Sequence, residues 1–207
     1  MKILELFSGT ESFSKVAREL GHEIFIIDNN PEFKPDLCKD ILHLNVDDIP
    51  FKPDVIWASP PCTTFSVASL GKHWKRTNTP QTPQAERGVE IIKHMIRIIK
   101  ILNPKFIIIE NPRGKLRKLN LIPYPMTTAC YCQYGDTRMK PTDLWNNFGF
   151  KGKMCKNGNP DHISAPRGSK TGTQGLKGNK ERSVIPKDLC LEILKQIKEK
   201  SKEVMGE

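Results

Sequence analysis

The 207-residue chain predicts an α/β domain built on a mostly parallel sheet with helices on both faces. Three observations lead there. Near-continuous apolar runs read as strands buried on both sides, and they alternate with segments of helical apolar spacing. Three of the strand ends also carry chemically useful groups, namely Asp28, Cys62 and Glu110.

Lys2-Ile-Leu-Glu-Leu-Phe7 is the first strand, stopped by Ser8-Gly9-Thr10. Phe13, Val16, Ala17 and Leu20 then recur at helical spacing up to Gly21. Strand, tight turn, helix and closing glycine open a βαβ unit. Glu23 to Asp28 is a second strand, ending in an acid before the turn Asn29-Asn30-Pro31. In open α/β sheets such carboxyl ends are where ligands bind. Asp54 to Ser59 is the next strand, ended by Pro60-Pro61-Cys62. Beyond a polar loop with Pro80 and Pro83, the residues Ile91/Ile92, Met95, Ile98/Ile99 and Leu102 stripe a long helix. Lys105 to Glu110 is the most hydrophobic strand and again closes on an acid. Met126 to Tyr134 and Thr142 to Asn147 predict two strands added antiparallel. Residues 151–182 hold eight Lys/Arg, two acids and many glycines, and read as a loop or small lobe. Pro186 starts a closing helix with Leu189, Ile193, Leu194 and Ile197 on one face.

Composition narrows the partners. A 37% hydrophobic fraction supports one domain with a packed core and argues against wholesale disorder. No apolar run reaches the roughly 18 residues that cross a bilayer, and the N-terminal apolar stretch is too short for a signal peptide. The expectation is a cytoplasmic protein without a membrane partner. Six irregularly spaced cysteines suit free thiols, metal ligands or a nucleophile better than a disulfide framework. The net charge is +10, and from Arg138 onward fifteen Lys/Arg face eight Asp/Glu, which points to a polyanion.

The first turn, Phe7-Ser-Gly9-Thr-Glu11, places backbone N–H groups at a helix start. Glu11 stands where a dinucleotide-binding motif has its second glycine, and its carboxylate would repel a pyrophosphate. A nucleoside cofactor without phosphate fits better than NAD or FAD, with Asp28 placed to accept from both ribose hydroxyls. Asp40 suits an adenine amino group. In Ser59-Pro-Pro-Cys-Thr-Thr-Phe-Ser66 two prolines hold the backbone extended and pin Cys62, whose thiolate can add covalently.

Taken in order, these segments resemble the DNA cytosine-C5 methyltransferases, in particular the short members often encoded by phages or mobile elements. Leu4-Glu-Leu-Phe-Ser-Gly-Thr10, Asp28, Asp40-Ile41, Pro60-Pro61-Cys62, Glu110-Asn111-Pro112, Arg138-Met-Lys140 and Ser183-Val-Ile-Pro-Lys-Asp-Leu-Cys190 carry the resemblance across most of the chain. It implies a Rossmann-like methyltransferase fold using S-adenosyl-L-methionine on DNA, acting in a bacterial or phage-infected host cell. The implied catalytic set is Cys62, Glu110, Arg138 and Lys140. The implied cofactor set is Phe7, Ser8, Gly9, Thr10, Asp28, Asn29, Asp40, Ile41, Pro60, Ser183 and Val184. Cys62 would attack C6 of a flipped cytosine, Glu110 would share a proton at N3, and Arg138 or Lys140 would contact O2. Lys140 departs from the usual Arg. The implied division is a catalytic core at 1–150, a short basic Gly-rich insert at 151–182 and a helix at 183–207 completing the core.

Only about 40 residues separate Lys140 from Ser183, too few for a large target-recognition domain. Ser66, Arg113, Arg167, Lys170, Lys177 and Lys180 are the expected nucleic-acid contacts, gripping phosphates with low or short sequence specificity. RNA cytosine-C5 methylation and a non-catalytic nucleic-acid-binding module are the alternatives. Cys155 and His162, with Cys130 and Cys132, have zinc-ligand chemistry but no standard finger spacing, so no metal is assigned.

Overall fold

The computed structural model describes residues 1–156, 162–163 and 178–205. Its strands are β1 (Lys2–Leu6), β2 (Glu23–Asp28), β3 (Leu37–Cys38), β4 (Val55–Ala58), β5 (Phe106–Pro112), β6 (Met126–Cys130) and β7 (Pro141–Asn146). The helices are α1 (Ser12–Glu19), α2 (Leu70–His73), α3 (Pro83–Leu102), α4 (Asn179–Ser183) and α5 (Lys187–Met205). The strands form one sheet in the order β3-β2-β1-β4-β5-β7-β6. Pairing is parallel from β3 through β5, and β7 runs antiparallel between β5 and β6. After β1 the chain builds toward β3, and from β4 it builds the other way. The crevice between the ends of β1 and β4 is therefore the topological switch point where such sheets bind ligands.

Alternation along the strands sorts the core into two layers. Leu4, Leu6, Ile56, Ala58, Ile107 and Ile109 pack on α3 through Ile92, Met95 and Ile99. On the other face Ile3, Val55, Trp57 and Ile108 meet Phe13 and Ala17 of α1 and Leu189, Ile193 and Ile197 of α5. Phe13 stacks on Trp57 with ring centroids 4.4 Å apart. The backbone N–H of Ile185 donates to Ser12 Oγ at 3.1 Å, fastening the start of the closing helix to the first turn. Capping sets α3, with Thr82 accepting from Ala85 N–H, Pro83 in the first turn and Asn103 in the left-handed C-terminal position. Among the described residues no helix is long and apolar enough to cross a membrane.

Four details differ from the sequence reading. The strand expected over 126–134 stops at Cys130, and Tyr131–Tyr134 coil into a short 3-10 turn closed by Gly135 at φ 81°. Tyr131, Cys132 and Tyr134 are all buried in this turn. Glu110 does not end its strand, because β5 continues to Pro112 by pairing with Thr142 of β7. β3 is too short at two residues to show a period. The last residues of the 151–182 segment, read as a loop or small lobe, enter α4, which runs on to Ser183.

Glu5 is the polar exception in β1, only 2% exposed. Its carboxylate accepts from the Ser14 N–H at 2.9 Å and from the Ser14 hydroxyl. Burial outweighs both bonds and raises its pKa from 4.5 to about 7. An acid whose pKa is higher folded than unfolded penalises folding increasingly as pH rises from the unfolded to the folded value. Glu5→Gln should therefore gain about 3 kcal/mol relative to wild type between about pH 4 and about pH 8. Denaturant midpoints at both pH values measure this, and a pH-independent difference contradicts it.

Candidate active site

Beyond β4, Ser59 extends the ladder by donating its N–H to Leu6 O at 3.2 Å. Pro60 is buried, and its carbonyl accepts from Asn111 Nδ2 at 2.9 Å, tying the loop to β5. The Cys62 carbonyl accepts from Phe65 N–H at 3.0 Å and Ser66 N–H at 2.9 Å, folding the loop into a tight turn. Phe65 is buried against Trp74, whose Nε1 donates to Thr64 O at 2.7 Å. Lys115 N–H donates to Phe65 O at 2.7 Å. A Cβ on Gly114 would stand 2.2 Å from that same oxygen, so glycine alone permits this approach. Gly88 of α3 leaves similar room beneath Thr64 and Phe65. The half-buried Cys62 is thus held by a loop clamped from both sides.

Glu110 and Lys140 are 6% and 5% exposed. The Tyr131 hydroxyl donates to Glu110 Oε1 at 3.1 Å, and Ser59, which accepts from Trp57 Nε1 at 2.8 Å, also bonds Glu110. Lys140 Nζ donates to Arg182 O at 2.9 Å and stands 4.6 Å from the Tyr131 ring centroid. Burial pushes Glu110 above the usual carboxylate range, with Lys140, Tyr131 and Ser59 opposing. Burial and then the Glu110 carboxylate push the Cys62 thiol up, while Lys140 pulls it down. Burial lowers Lys140, and Glu110 and Cys62 hold it up. The corner therefore joins a pinned sulfur nucleophile, a carboxyl inclined to keep its proton and a cation. Such a set suits nucleophilic addition to a ring with protonation of a ring nitrogen.

The two basic residues expected beside the thiol are treated differently. Lys140 lies within electrostatic reach of Cys62 and Glu110. Arg138 pairs with Asp136 and donates to the carbonyls of Glu181 and Val184 at 3.2 Å each. Its hydrogen bonds hold the C-terminal segment against the core.

The first turn is sharply bent, with positive φ at Phe7, Gly9 and Glu11. Asp28 clasps it, accepting from Gly9 N–H at 2.9 Å through Oδ2 and from Asn30 N–H at 2.8 Å through Oδ1. Ser8 Oγ is buried without a partner among the described residues. Glu11 turns to Arg18 at 2.5 Å. Asp40 accepts from Leu42 N–H at 3.0 Å and pairs with Arg87 of α3 at 2.5 Å. Phe7, Asp28, Asn29, Asp40, Ile41 and Pro61 line a cleft here. The cleft combines apolar side chains with Asp28, Asp40, Lys39 and Arg87, a mix that suits a nucleoside, and Asp28 keeps lone pairs for a ribose diol. Thr10 is bonded to Ser12 at 2.9 Å. Ser12 in turn receives Ile185, and the exposed Ser183 and Val184 immediately precede that anchored residue.

Ser66 Oγ lies 3.1 Å from Ser69 Oγ on the loop after Cys62. Arg113 is exposed beyond β5, and Lys180 is exposed in α4. Arg167, Lys170 and Lys177 lie outside the described residues. Cys155 Sγ stands 3.4 Å from His162 Nδ1. Sequence reasoning missed Tyr131, Ser59, Asp136 and Arg87 as partners in the site. Ser59 carried a signal by its place before the two prolines, as did Asn111 by its place after Glu110.

Residues 1–120 match the profile of the C-5 cytosine-specific DNA methylase family. A Frog virus 3 (isolate Goorha) protein named "Probable DNA (cytosine-5)-methyltransferase" is 32% identical over 167 residues, covering 75% of each chain. The type II methyltransferase M.FnuDI of Fusobacterium nucleatum is 32% identical over 130 residues, 58% of this chain and 35% of that one. A prophage-encoded E. coli protein whose structure is described as that of a "putative DNA modification methyltransferase" has the same fold, with TM-score 0.53 at 17% identity, covering 95% of this chain and 69% of its own.

The electrostatics of Cys62 are open to a direct check. The pH midpoint of its alkylation by iodoacetamide, followed by peptide mass spectrometry, should lie above that of an ordinary thiol. Glu110→Gln removes the neighbouring negative charge and should lower the midpoint. A wild-type midpoint at or below the ordinary value, or an upward move in the variant, contradicts this arrangement.

Proposed function

The chain belongs to the C-5 cytosine-specific DNA methylase family, and on that premise we propose that it methylates C5 of a cytosine flipped out of DNA through a Cys62–C6 covalent bond. The observation that carries this reading is the convergence of Cys62, Glu110 and Lys140 in one buried corner beside the switch-point cleft. Cytosine C5 is a poor nucleophile until the ring is made enamine-like. A flipped base set against Glu110 receives its carboxyl proton at N3, which makes C6 electrophilic. The Cys62 sulfur adds to C6 as the thiolate, its proton passing to solvent, and the ring electrons shift toward C5. Lys140 Nζ, one of whose protons already goes to Arg182 O, turns another toward O2 and offsets charge developing on the ring. Phe7, Ser8, Gly9, Asp28, Asp40 and Ile41 would hold S-adenosylmethionine, which would supply an electrophilic methyl group to C5 and leave as S-adenosylhomocysteine. Loss of the C5 proton to solvent and expulsion of the Cys62 thiolate restore the aromatic ring, and the N3 proton returns to Glu110.

Recognition follows from what the chain lacks room for. The segment 151–182 carries basic residues in a stretch far shorter than a base-reading domain. Together with Arg113 it serves phosphate contact, so the methylated site is short or loosely defined.

Two experiments test the reading. DNA containing 5-fluorocytosine, which cannot lose its C5 substituent, should trap a covalent adduct with the wild type in the presence of cofactor and none with Cys62→Ala. No adduct on DNA alongside one on RNA overturns the assignment. Bisulfite sequencing of treated DNA should show methylation at frequent, short-context sites, and a long unique site refutes the specificity claim.

A further inference from the structure

A second cluster of chemically able side chains lies outside the proposed methyl-transfer chemistry. Cys130 ends β6, and Cys132 sits in the turn that follows. The chain returns along β6 after β7, with Cys130 N–H donating to Lys153 O at 2.9 Å and Gly152 N–H to Thr127 Oγ1 at 3.0 Å. This return sets Cys155 against Cys130 and Cys132. The Sγ atoms of Cys132 and Cys155 and a ring nitrogen of His162 all lie within 4.8 Å of one another.

We propose that Cys132, Cys155 and His162 bind a zinc-class divalent cation, with Cys130 providing a further sulfur beside them. The donors and their spacing carry the proposal. Zn–S of about 2.3 Å and Zn–N of about 2.0–2.1 Å put the ligand atoms of a tetrahedral site roughly 3.5–3.8 Å apart. The 3.4 Å between Cys155 Sγ and His162 Nδ1 is already close to that edge. No separation among the three exceeds 4.8 Å, so a shift of at most about 1 Å closes the site. Packing of small hydrophobes explains three buried cysteines, but not an imidazole nitrogen turned onto one of them. Sulfur and imidazole donors favour zinc over magnesium or calcium. The thiol protons pass to solvent as the metal–sulfur bonds form.

The location gives the ion a structural task that does not depend on the methyl-transfer reading. Ile163 N–H donates to Thr137 O at 2.8 Å, so the ligands flank the path from Asp136 to Lys140. Cys155 and His162 also bracket the chain just before the stretch that contains Arg167, Lys170 and Lys177. A bound ion fastens the entry to that basic stretch onto the core.

The test uses the full chain, purified without chelator and without an immobilised-metal column. Elemental analysis after dialysis should give about one zinc per chain. Cobalt(II) added to the stripped protein should give sulfur-to-cobalt charge-transfer absorption and the intense visible bands of a tetrahedral site. His162→Ala, a change at a half-buried side chain, should lose both signals while keeping the wild-type circular dichroism, and Cys155→Ser should do the same. Zinc far below one per chain with no cobalt bands overturns the proposal. So does metal content unchanged in both variants, which marks an adventitious ion only.

Discussion

A carboxyl, an ammonium and a thiol share one largely dry corner at the ends of β4 and β5, and the carboxyl and the ammonium make each other tolerable there. An isolated buried charge is costly, and a lone Lys140 or ionised Glu110 would be expelled or neutralised. Their mutual attraction, the Tyr131 hydroxyl and the Arg182 carbonyl satisfy the pair. The antiparallel register of β5 against β7 sets Glu110 opposite Leu144 and starts β7 immediately after Lys140. A slip of one residue would turn Glu110 to the opposite face of the sheet. The 3-10 turn at Tyr131–Tyr134 buries Tyr131 and Cys132 directly after β6 and sets the Tyr131 hydroxyl on Glu110.

The crevice beside this corner depends on the opposite end of the chain. Helix α5 packs beside α1 on the same face of the sheet, and Ile185 anchors it on Ser12. Arg138 holds the carbonyls of Glu181 and Val184, so the segment that supplies the Arg182 carbonyl to Lys140 is itself tied down. Binding turn, nucleophile loop and C-terminal segment thus form one connected network. Gly114 and Gly88 give the loop its close seat, so Cys62 is positioned by backbone contact more than by side-chain packing.

Much of this was legible in the sequence. Asp28 and Cys62 stand out because polar or reactive residues interrupt apolar runs at their ends, and Glu110 does so although β5 continues past it. The choice between Arg138 and Lys140 was not legible. It turns on Asp136, two residues before Arg138, which captures the guanidinium locally. Tyr131 hid in an apolar run whose period fits neither strand nor helix. β3 was too short to leave a pattern. The Cys132, Cys155 and His162 cluster depends on a return along β6 that no local spacing encodes.

The central claim is that Cys62 activates the cytosine ring by adding to C6, with Glu110 holding the proton at N3. Release of tritium from DNA carrying [5-³H]cytosine tests it most directly, because C5 exchanges or loses its hydrogen only while the ring is activated. The wild type should release tritium to water, Glu110→Gln should release it about 10²-fold or more slowly, and Cys62→Ala should release none. Equal release from Cys62→Ala and the wild type would contradict the account.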